Sequence, residues 1–321
     1  MKTNRLKDEA AAFDLQIRER IAHGHVPDLR RAQPCDWFYN NPWRRPEYID
    51  SIFGEDFRFA LAQIPPGSRI LEVGSGPGHM ALELARNGHR VTGVELSPEC
   101  VRVARRMAAE NPYRESFGSL SYAVGDIFTW ECGERYQAIC FFGVLHHFDN
   151  PGAVLDRVLG LLEPEGAIIA VEPARDWFSR LNAAVALLIR LLLSRSGRWH
   201  ETLRLPGDTA QLGSLVDDCL AEYREQRDRD APAQSPQDNS SYADGMLAAL
   251  RERFDQTAFQ NGHAFLPRMI GGVRGTEADA LEMAAFLRLF DEYCVRSGLL
   301  MPGQFRFAGR KRTLGIPKTV S

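Results

Sequence analysis

Between Ser68 and Glu172 short apolar runs alternate with amphipathic segments. "RILEV" (69–73) reads as a first strand. The stretch from Gly78 to Asn87 carries Met80, Ala81, Leu84 and Ala85 on one helical face, and Gly88 ends it as glycine does just past a helix. "RVTGVEL" (90–96) is a second strand. Ser97 then caps a helix whose first position is Pro98, where a missing N–H costs nothing, and "ENP" (110–112) closes it. "LSYAVGD", "YQAICFFG" and "AIIAVE" are strands three, four and five, with a helix from Pro151 to "EPEG" before the last. Strands rich in Val, Ile and Leu, separated by helices, predict a parallel sheet covered on both faces. The right-handed crossover rule makes it an α/β, doubly wound sheet, which binds ligands beyond the carboxyl ends of its strands.

After Pro173 the rhythm changes. "WFSRLNAAVALLIRLLLS" (177–194) is the most apolar segment, but Arg180 and Arg190 interrupt it, which argues against a bilayer span. It reads as a helix that is buried or that covers a pocket or a partner; a helix resting on a membrane surface stays open. Leu212, Leu215, Val216, Cys219, Leu220 and Tyr223 form a second helical stripe, and 228–242 is polar, a loop or mobile lid. The sheet is expected to resume near "HAFLPRMIGG" (263–272) and to finish with "QFRFAGRKR" (304–312) as an edge strand, with the helix "EADALEMAAFLRLFDEYCVRSG" between them. This layout predicts an N-terminal helical arm or cap (1–55), an α/β core (56–175), a helical insertion or lid after strand five (176–262) and a C-terminal part of the core (263–321).

Composition narrows the class without changing that picture. The chain has 321 residues, 44% hydrophobic and 25% charged, the profile of a globular protein. A net charge of −3 gives no nucleic-acid footprint. Six scattered cysteines form no C-x-x-C pair, and the charged N-terminus has no apolar export core; together these point to the cytoplasm.

The candidate chemistry starts at "EVGSGPG" (72–78), where Gly74, Gly76 and Gly78 follow the first strand. A dinucleotide fingerprint, G-x-G-x-x-G, would need its third glycine at His79, and no Lys-Ser or Lys-Thr makes a Walker loop. Bare glycines let a ligand lie against the backbone and permit positive φ. Pro77 removes one N–H, and Glu72 disfavours a polyanion but suits an ammonium or sulfonium group. The ligand reads as a nucleoside carrying positive charge. Glu95, at the end of strand two, can accept both ribose hydroxyls, and Asp126, at the end of strand three, can accept from an adenine amine.

With "ILEVGSGPG", "VTGVELSP", "VGDIF", "FFGVLHHFDNP" and "LEPEGAIIAVEP" in this order, roughly residues 66–175 resemble class I S-adenosylmethionine-dependent methyltransferases. The subgroup is similar to small-molecule enzymes of quinone, sugar and polyketide biosynthesis. The resemblance implies the Rossmann-like methyltransferase fold, with a mostly parallel seven-stranded sheet, and S-adenosylmethionine as cofactor. It implies Gly74, Ser75, Gly76 and Gly78 around the methionine part, Glu72 near its amino group, Glu95 and Leu96 at the ribose, Asp126 and Ile127 at the adenine, and Gly143 in the same site.

Methyl transfer from a sulfonium is an in-line displacement, so the protein mainly aligns the reactants and excludes water. An oxygen acceptor loses a proton, which makes a base useful; an amine need only be neutral. His146 and His147, after strand four, are the candidates for that base, although a histidine here also shapes the loop or contacts cofactor in this family. Glu172 binds the acceptor, orients a histidine or anchors the loop. In "CDWFYNNPWRRPEY" (35–48), Tyr39 or Trp43 walls an acceptor pocket or anchors the arm. Arg44, Arg45, Arg268 and Arg274 bind an anionic acceptor or are merely solvated. His23 and His25 lack further ligands nearby, so no metal is expected.

The expected function is methyl transfer to an oxygen or nitrogen, or else a carbon, of a small or medium-sized metabolite. The segment between Pro173 and Gly262 suggests a larger acceptor or a homodimer contact. An aminopropyl-type transferase, or a non-catalytic S-adenosylmethionine-binding sensor or assembly protein, is the alternative. Sequence alone does not name the acceptor.

Overall fold

A computed structural model describes residues 2–34, 42–227, 231–232 and 235–312. β1 (Arg69–Val73), β2 (Arg90–Glu95), β3 (Ser119–Val124), β4 (Tyr136–Phe142) and β5 (Leu162–Pro173) run parallel in the order β3-β2-β1-β4-β5. A two-residue ribbon, β6 (Gln226–Arg227) with β7 (Ala231–Pro232), stands apart from this sheet. β8 (Phe254–Asn261) and β9 (Gln304–Lys311) bring the sheet to seven strands, with β9 antiparallel to both β5 and β8. Strand order reverses between β1 and β4, which places a crevice at their carboxyl ends.

The central strands are largely apolar because both faces are covered. Successive residues point to opposite sides. Leu71, Val73, Ile139, Phe141, Ile168 and Ala170 enter one core, with α6 (Pro151–Leu159) and α9 (Ala243–Arg253). Ile70, Ala138, Cys140, Ala167 and Ile169 enter the other, with α3 (Glu55–Gln63), α4 (His79–Arg86) and α5 (Pro98–Ala109). Ser97 Oγ accepts from Cys100 N at 3.0 Å and starts α5, as its sequence predicts. α1 (Lys2–Ala22) lies along α5 through Ile17, Cys100, Val103 and Met107. Buried Asp28, Arg86, Glu83 and Asn111, with the more exposed Arg30, form a charged and polar network that ties the segment after α1 to α4. Ahead of α3, the short helix α2 (Pro46–Ile49) leads into a π-helical turn. α7 (Arg180–Arg195), α8 (Thr209–Tyr223) and α10 (Glu277–Arg296) build a further core around Phe178, Leu187, Leu191, Tyr223, Phe265 and Ile270.

Two expectations change. The sixth strand is Phe254–Asn261, not 263–272, which forms turns and short 3-10 segments. The apolar run at 263–272 fills the helical core, whereas "FDQTAFQN" is polar because β8 is the exposed edge. β9 is therefore an interior strand. Its alternating Arg306 is buried and bonded through Nε to Asp56 Oδ1 at 2.6 Å, so a charge there did not mean solvent. Within the expected loop Ser235 and Asp238 are buried, and Ser241 N donates to the His146 carbonyl at 3.1 Å.

Candidate active site

A cavity of about 910 Å³ opens at the carboxyl ends of β1, β2 and β4, between the sheet and α1. It is large enough for a nucleoside cofactor and a small acceptor together. Glu72, Gly74, Ser75, Gly76, Glu95, Leu96, Asp126, Ile127, Gly143 and His147 all line it; Gly78, His146 and Glu172 do not. Tyr39 and Cys35 lie outside the described residues.

The glycine turn divides its work. All three glycines have positive φ: +65° at Gly74, +51° at Gly76 and +84° at Gly78. A Cβ on Gly78 would meet Tyr122 Oη at 2.5 Å and Ala104 Cβ at 2.7 Å, and one on Gly74 would overlap Val144. Those two glycines serve close packing. A Cβ on Gly76 meets nothing within 4 Å, so it would enter the open cavity. The turn's N–H groups are spent internally: Gly74 and Ser75 on the Val94 carbonyl at 2.8 and 3.2 Å, Gly76 on Glu95 Oε2 at 2.8 Å, Gly78 on the Ser75 carbonyl at 2.9 Å. With Pro77 offering none, no backbone cradle remains for a pyrophosphate.

Carboxylates face the same space. Glu72 and Glu95 are buried and, among the described residues, neither is ion-paired; burial pushes Glu72 well above the ordinary carboxylate range and Glu95 upward too. Glu72 Oε2 has no hydrogen-bond partner. An orphaned, desolvated carboxylate oxygen beside bare backbone fits the ammonium of an amino-acid moiety. Glu95 takes Ser97 N at 2.8 Å on Oε1 and Gly76 N on Oε2, which fixes the carboxylate at the strand end with lone pairs left for hydroxyls. Asp126 accepts from Phe128 N at 3.0 Å, and Ile127 is buried beside it. These groups fit the adenosyl and methionyl parts of S-adenosylmethionine.

The two histidines have separate surroundings. His146 is enclosed: its Nδ1 lies 2.9 Å from Glu172 Oε2, and its Nε2 3.5 Å from Asp238 Oδ1. Burial alone would lower its pKa, but bonds to Asp238 and Glu172 outweigh that and hold it above its ordinary value. Glu172 also accepts from Val144 N, Leu145 N and His146 N at 3.0, 2.9 and 3.4 Å, so its carboxylate is consumed in holding the loop after β4. His147 lines the cavity, and its Nδ1 lies 2.9 Å from Glu9 Oε1. Among the described residues His146, His147 and Asp238 each bring one ligand atom within 4.8 Å of the others. Arg175 Nη1, 2.6 Å from Asp238 Oδ1, already supplies positive charge there.

α1 forms the far wall with Leu6, Phe13 and Ile17, and places Glu9 beside His147. The sequence predicts a helical arm or cap here but assigns none of this helix's residues to the site, although Leu6, Phe13, Ile17 and Ile21 recur at helical spacing. Phe128, Phe142 and Phe148 make the same compartment largely aromatic. Trp43 packs on His25, Phe53 and His79 and so anchors the arm. Arg45 pairs with Glu277, and Arg268 with Glu225.

The profile of a methyltransferase domain matches residues 44–218, more than half of the chain. The chain belongs to the methyltransferase-domain family. The ubiquinone biosynthesis O-methyltransferase of Xylella fastidiosa is 29% identical to this methyltransferase-domain chain over 140 residues, 43% of the chain and 56% of that protein. The protein of the same name from Xanthomonas campestris is 32% identical over 124 residues, 39% of the chain and 48% of that protein. The chain thus spans about half the length of the curated relatives it matches. The solved N-methyltransferase NodS of Bradyrhizobium japonicum superposes with a TM-score of 0.43 at 12% identity, over 81% of this chain and 94% of that one.

Proposed function

We propose that this methyltransferase-domain chain transfers the methyl group of S-adenosylmethionine to an oxygen or nitrogen of a small or medium-sized metabolite. One observation carries this reading: a single cavity joins an unpaired acid-and-glycine wall to an aromatic compartment with a histidine at its edge. Glu72 receives the cofactor's ammonium, Glu95 its ribose, and Asp126 with Ile127 its adenine; Gly76 leaves the backbone bare for close approach. The cofactor supplies a methyl group already activated on a sulfonium. The chain holds the acceptor in line with it, and Phe13, Phe128, Phe142 and Phe148 exclude water from that approach.

His147 is the residue that receives the acceptor's proton, because its ring reaches the cavity. His146 and Glu172 support it from behind. The relatives named as O-methyltransferases make a hydroxyl oxygen the acceptor to try first. Leu181, Leu188 and Leu192, each more than half exposed on one face of α7, support a homodimer, which light scattering would measure. Among the described residues no helix is long and apolar enough to cross a membrane. The five described cysteines are free thiols, in keeping with a cytoplasmic location.

Two measurements test the function. Calorimetry should give tight binding of S-adenosylmethionine and its demethylated product, and none of NAD. Methyl-labelled cofactor incubated with fractionated cell extract should pass label to a small molecule. Binding without transfer to any fraction would favour a sensor, and capture of NAD alone would sink the proposal.

A further inference from the structure

The loop after β4 presents two adjacent histidines, and only one meets the cavity. His147 Nδ1 is taken by Glu9 Oε1 at 2.9 Å, with Ser235 Oγ at 3.3 Å. With Nδ1 so engaged, Nε2 is the ring nitrogen left for an acceptor in the cavity that His147 lines. Glu9 comes from α1, 138 positions earlier in the chain. Its carboxylate is buried and held in place: Ser235 Oγ donates to Oε1 at 2.6 Å and Gln237 N to Oε2 at 2.8 Å. Phe13, one helical turn beyond Glu9, sets its ring edge-on to His147 at 5.4 Å. The imidazole is thus gripped on one nitrogen by an acid and on its side by an aromatic ring, and among the described residues no hydrogen bond reaches its other nitrogen.

We infer that Glu9 is the positioning residue for His147, so that the N-terminal helix completes a Glu9–His147 pair that deprotonates a hydroxyl acceptor. The inference rests on the reading of the cavity as a methyl-transfer site and adds to it the class of acceptor, an ionisable hydroxyl. An acidic oxygen on Nδ1–H fixes the tautomer in which Nε2 is the acceptor, and it stabilises the imidazolium once formed. In the step, the hydroxyl proton passes to His147 Nε2. The acceptor oxygen forms its bond to the methyl carbon as the carbon–sulfur bond breaks, and that electron pair leaves on sulfur as a neutral thioether. An amine acceptor that arrives neutral would need no such pair.

The surroundings separate the histidines further. His146, between Glu172 and Asp238, is held above its ordinary pKa, and its charged form faces His147 at a ring separation of 4.2 Å. Burial and that charge lower the His147 pKa, against Glu9 and Asp238, which raise it. The environments thus push the two rings in opposite directions, His147 toward the neutral form a base requires and His146 toward the charged, structural form.

The experiment uses the full chain, with Glu9→Gln, which keeps the side chain's size, and Glu9→Asp, which restores the charge on a shorter arm. Long-range nitrogen–proton NMR of the histidine rings reads the tautomer and pKa of His147 without any acceptor. The wild type should show the Nδ1–H form, and Glu9→Gln should lower the pKa and mix the tautomers. Catechol and aniline, supplied with methyl-labelled S-adenosylmethionine, are the acceptor probes. Glu9→Gln should lower kcat for catechol about ten- to a hundredfold, move the acid limb of its pH profile downward, and leave cofactor affinity within about threefold. Glu9→Asp should recover part of the loss. An Nε2–H tautomer in the wild type, or a His147 pKa unmoved by Glu9→Gln, overturns the pairing. Loss of cofactor binding by the wild type itself would instead overturn the methyl-transfer reading, with the NMR result still deciding the pair.

Discussion

Replacing Gly74 and Gly76 with alanine, one at a time, separates packing from ligand binding within one turn. Both positions hold positive φ, +65° and +51°, which costs an alanine about 1–2 kcal/mol at either site. The difference lies in what the new methyl meets. At Gly74 it overlaps Val144 Cγ2 and comes within 3.0 Å of Val144 Cβ, so the loop carrying His146 and His147 must shift. Overpacking of this kind adds about 1–3 kcal/mol, giving about 2–5 kcal/mol for Gly74→Ala. At Gly76 the methyl meets no protein atom, and the cost stays at about 1–2 kcal/mol. That methyl instead occupies cavity space against which the cofactor lies. Its affinity should fall at least about tenfold, or about 1.4 kcal/mol. Urea unfolding followed by tryptophan fluorescence gives the stabilities, and calorimetry with S-adenosylhomocysteine gives the affinities. Equal unfolding midpoints, or wild-type affinity in Gly76→Ala, would refute the division of labour drawn for the turn.

Further outcomes follow from the buried charges. Glu172→Gln turns an amide N–H toward donors and should cost about 1–3 kcal/mol in urea, with a downward shift of the His146 pKa visible by NMR. Asp28→Asn removes one of the two carboxylates that pair with the fully enclosed Arg86, leaving Glu83, and should cost about 1.5–3 kcal/mol on the same scale. His25 and His79 are held neutral, at about 3 and about 4, chiefly by burial. Because the unfolded chain protonates them first, their stability is present above pH 6.5 and is lost as pH falls toward 4. The slope should approach about 2.7 kcal/mol per pH unit, and His79→Phe should remove about half of it; a slope unchanged by that substitution would show these groups are not responsible.

Local pattern carried far in this chain wherever each element's neighbours are the same for any member of a doubly wound sheet. β1 to β5, the Ser97 cap and the acids at three strand ends all follow from runs of apolar residues punctuated by Gly, Pro and Ser. β8 escaped because an exposed edge strand needs no apolar face, and β9 reads as an edge strand because its polar and apolar residues alternate, although Arg306 among them is buried. Whether a charge is exposed depends on what packs above it, and Asp56 is 250 positions away.

The same reason bounds the active site. A glycine turn and acids at successive strand ends are adjacent by register, so the order of residues determined the wall that meets the cofactor. Glu9, His147 and Ser235 come from three distant parts of the chain and are neighbours only because α1 and the segment before α9 close over one loop. Hydrogen bonding across such separations is decided by packing, and only the tertiary structure could distinguish His147, open to the cavity, from His146, sealed behind it.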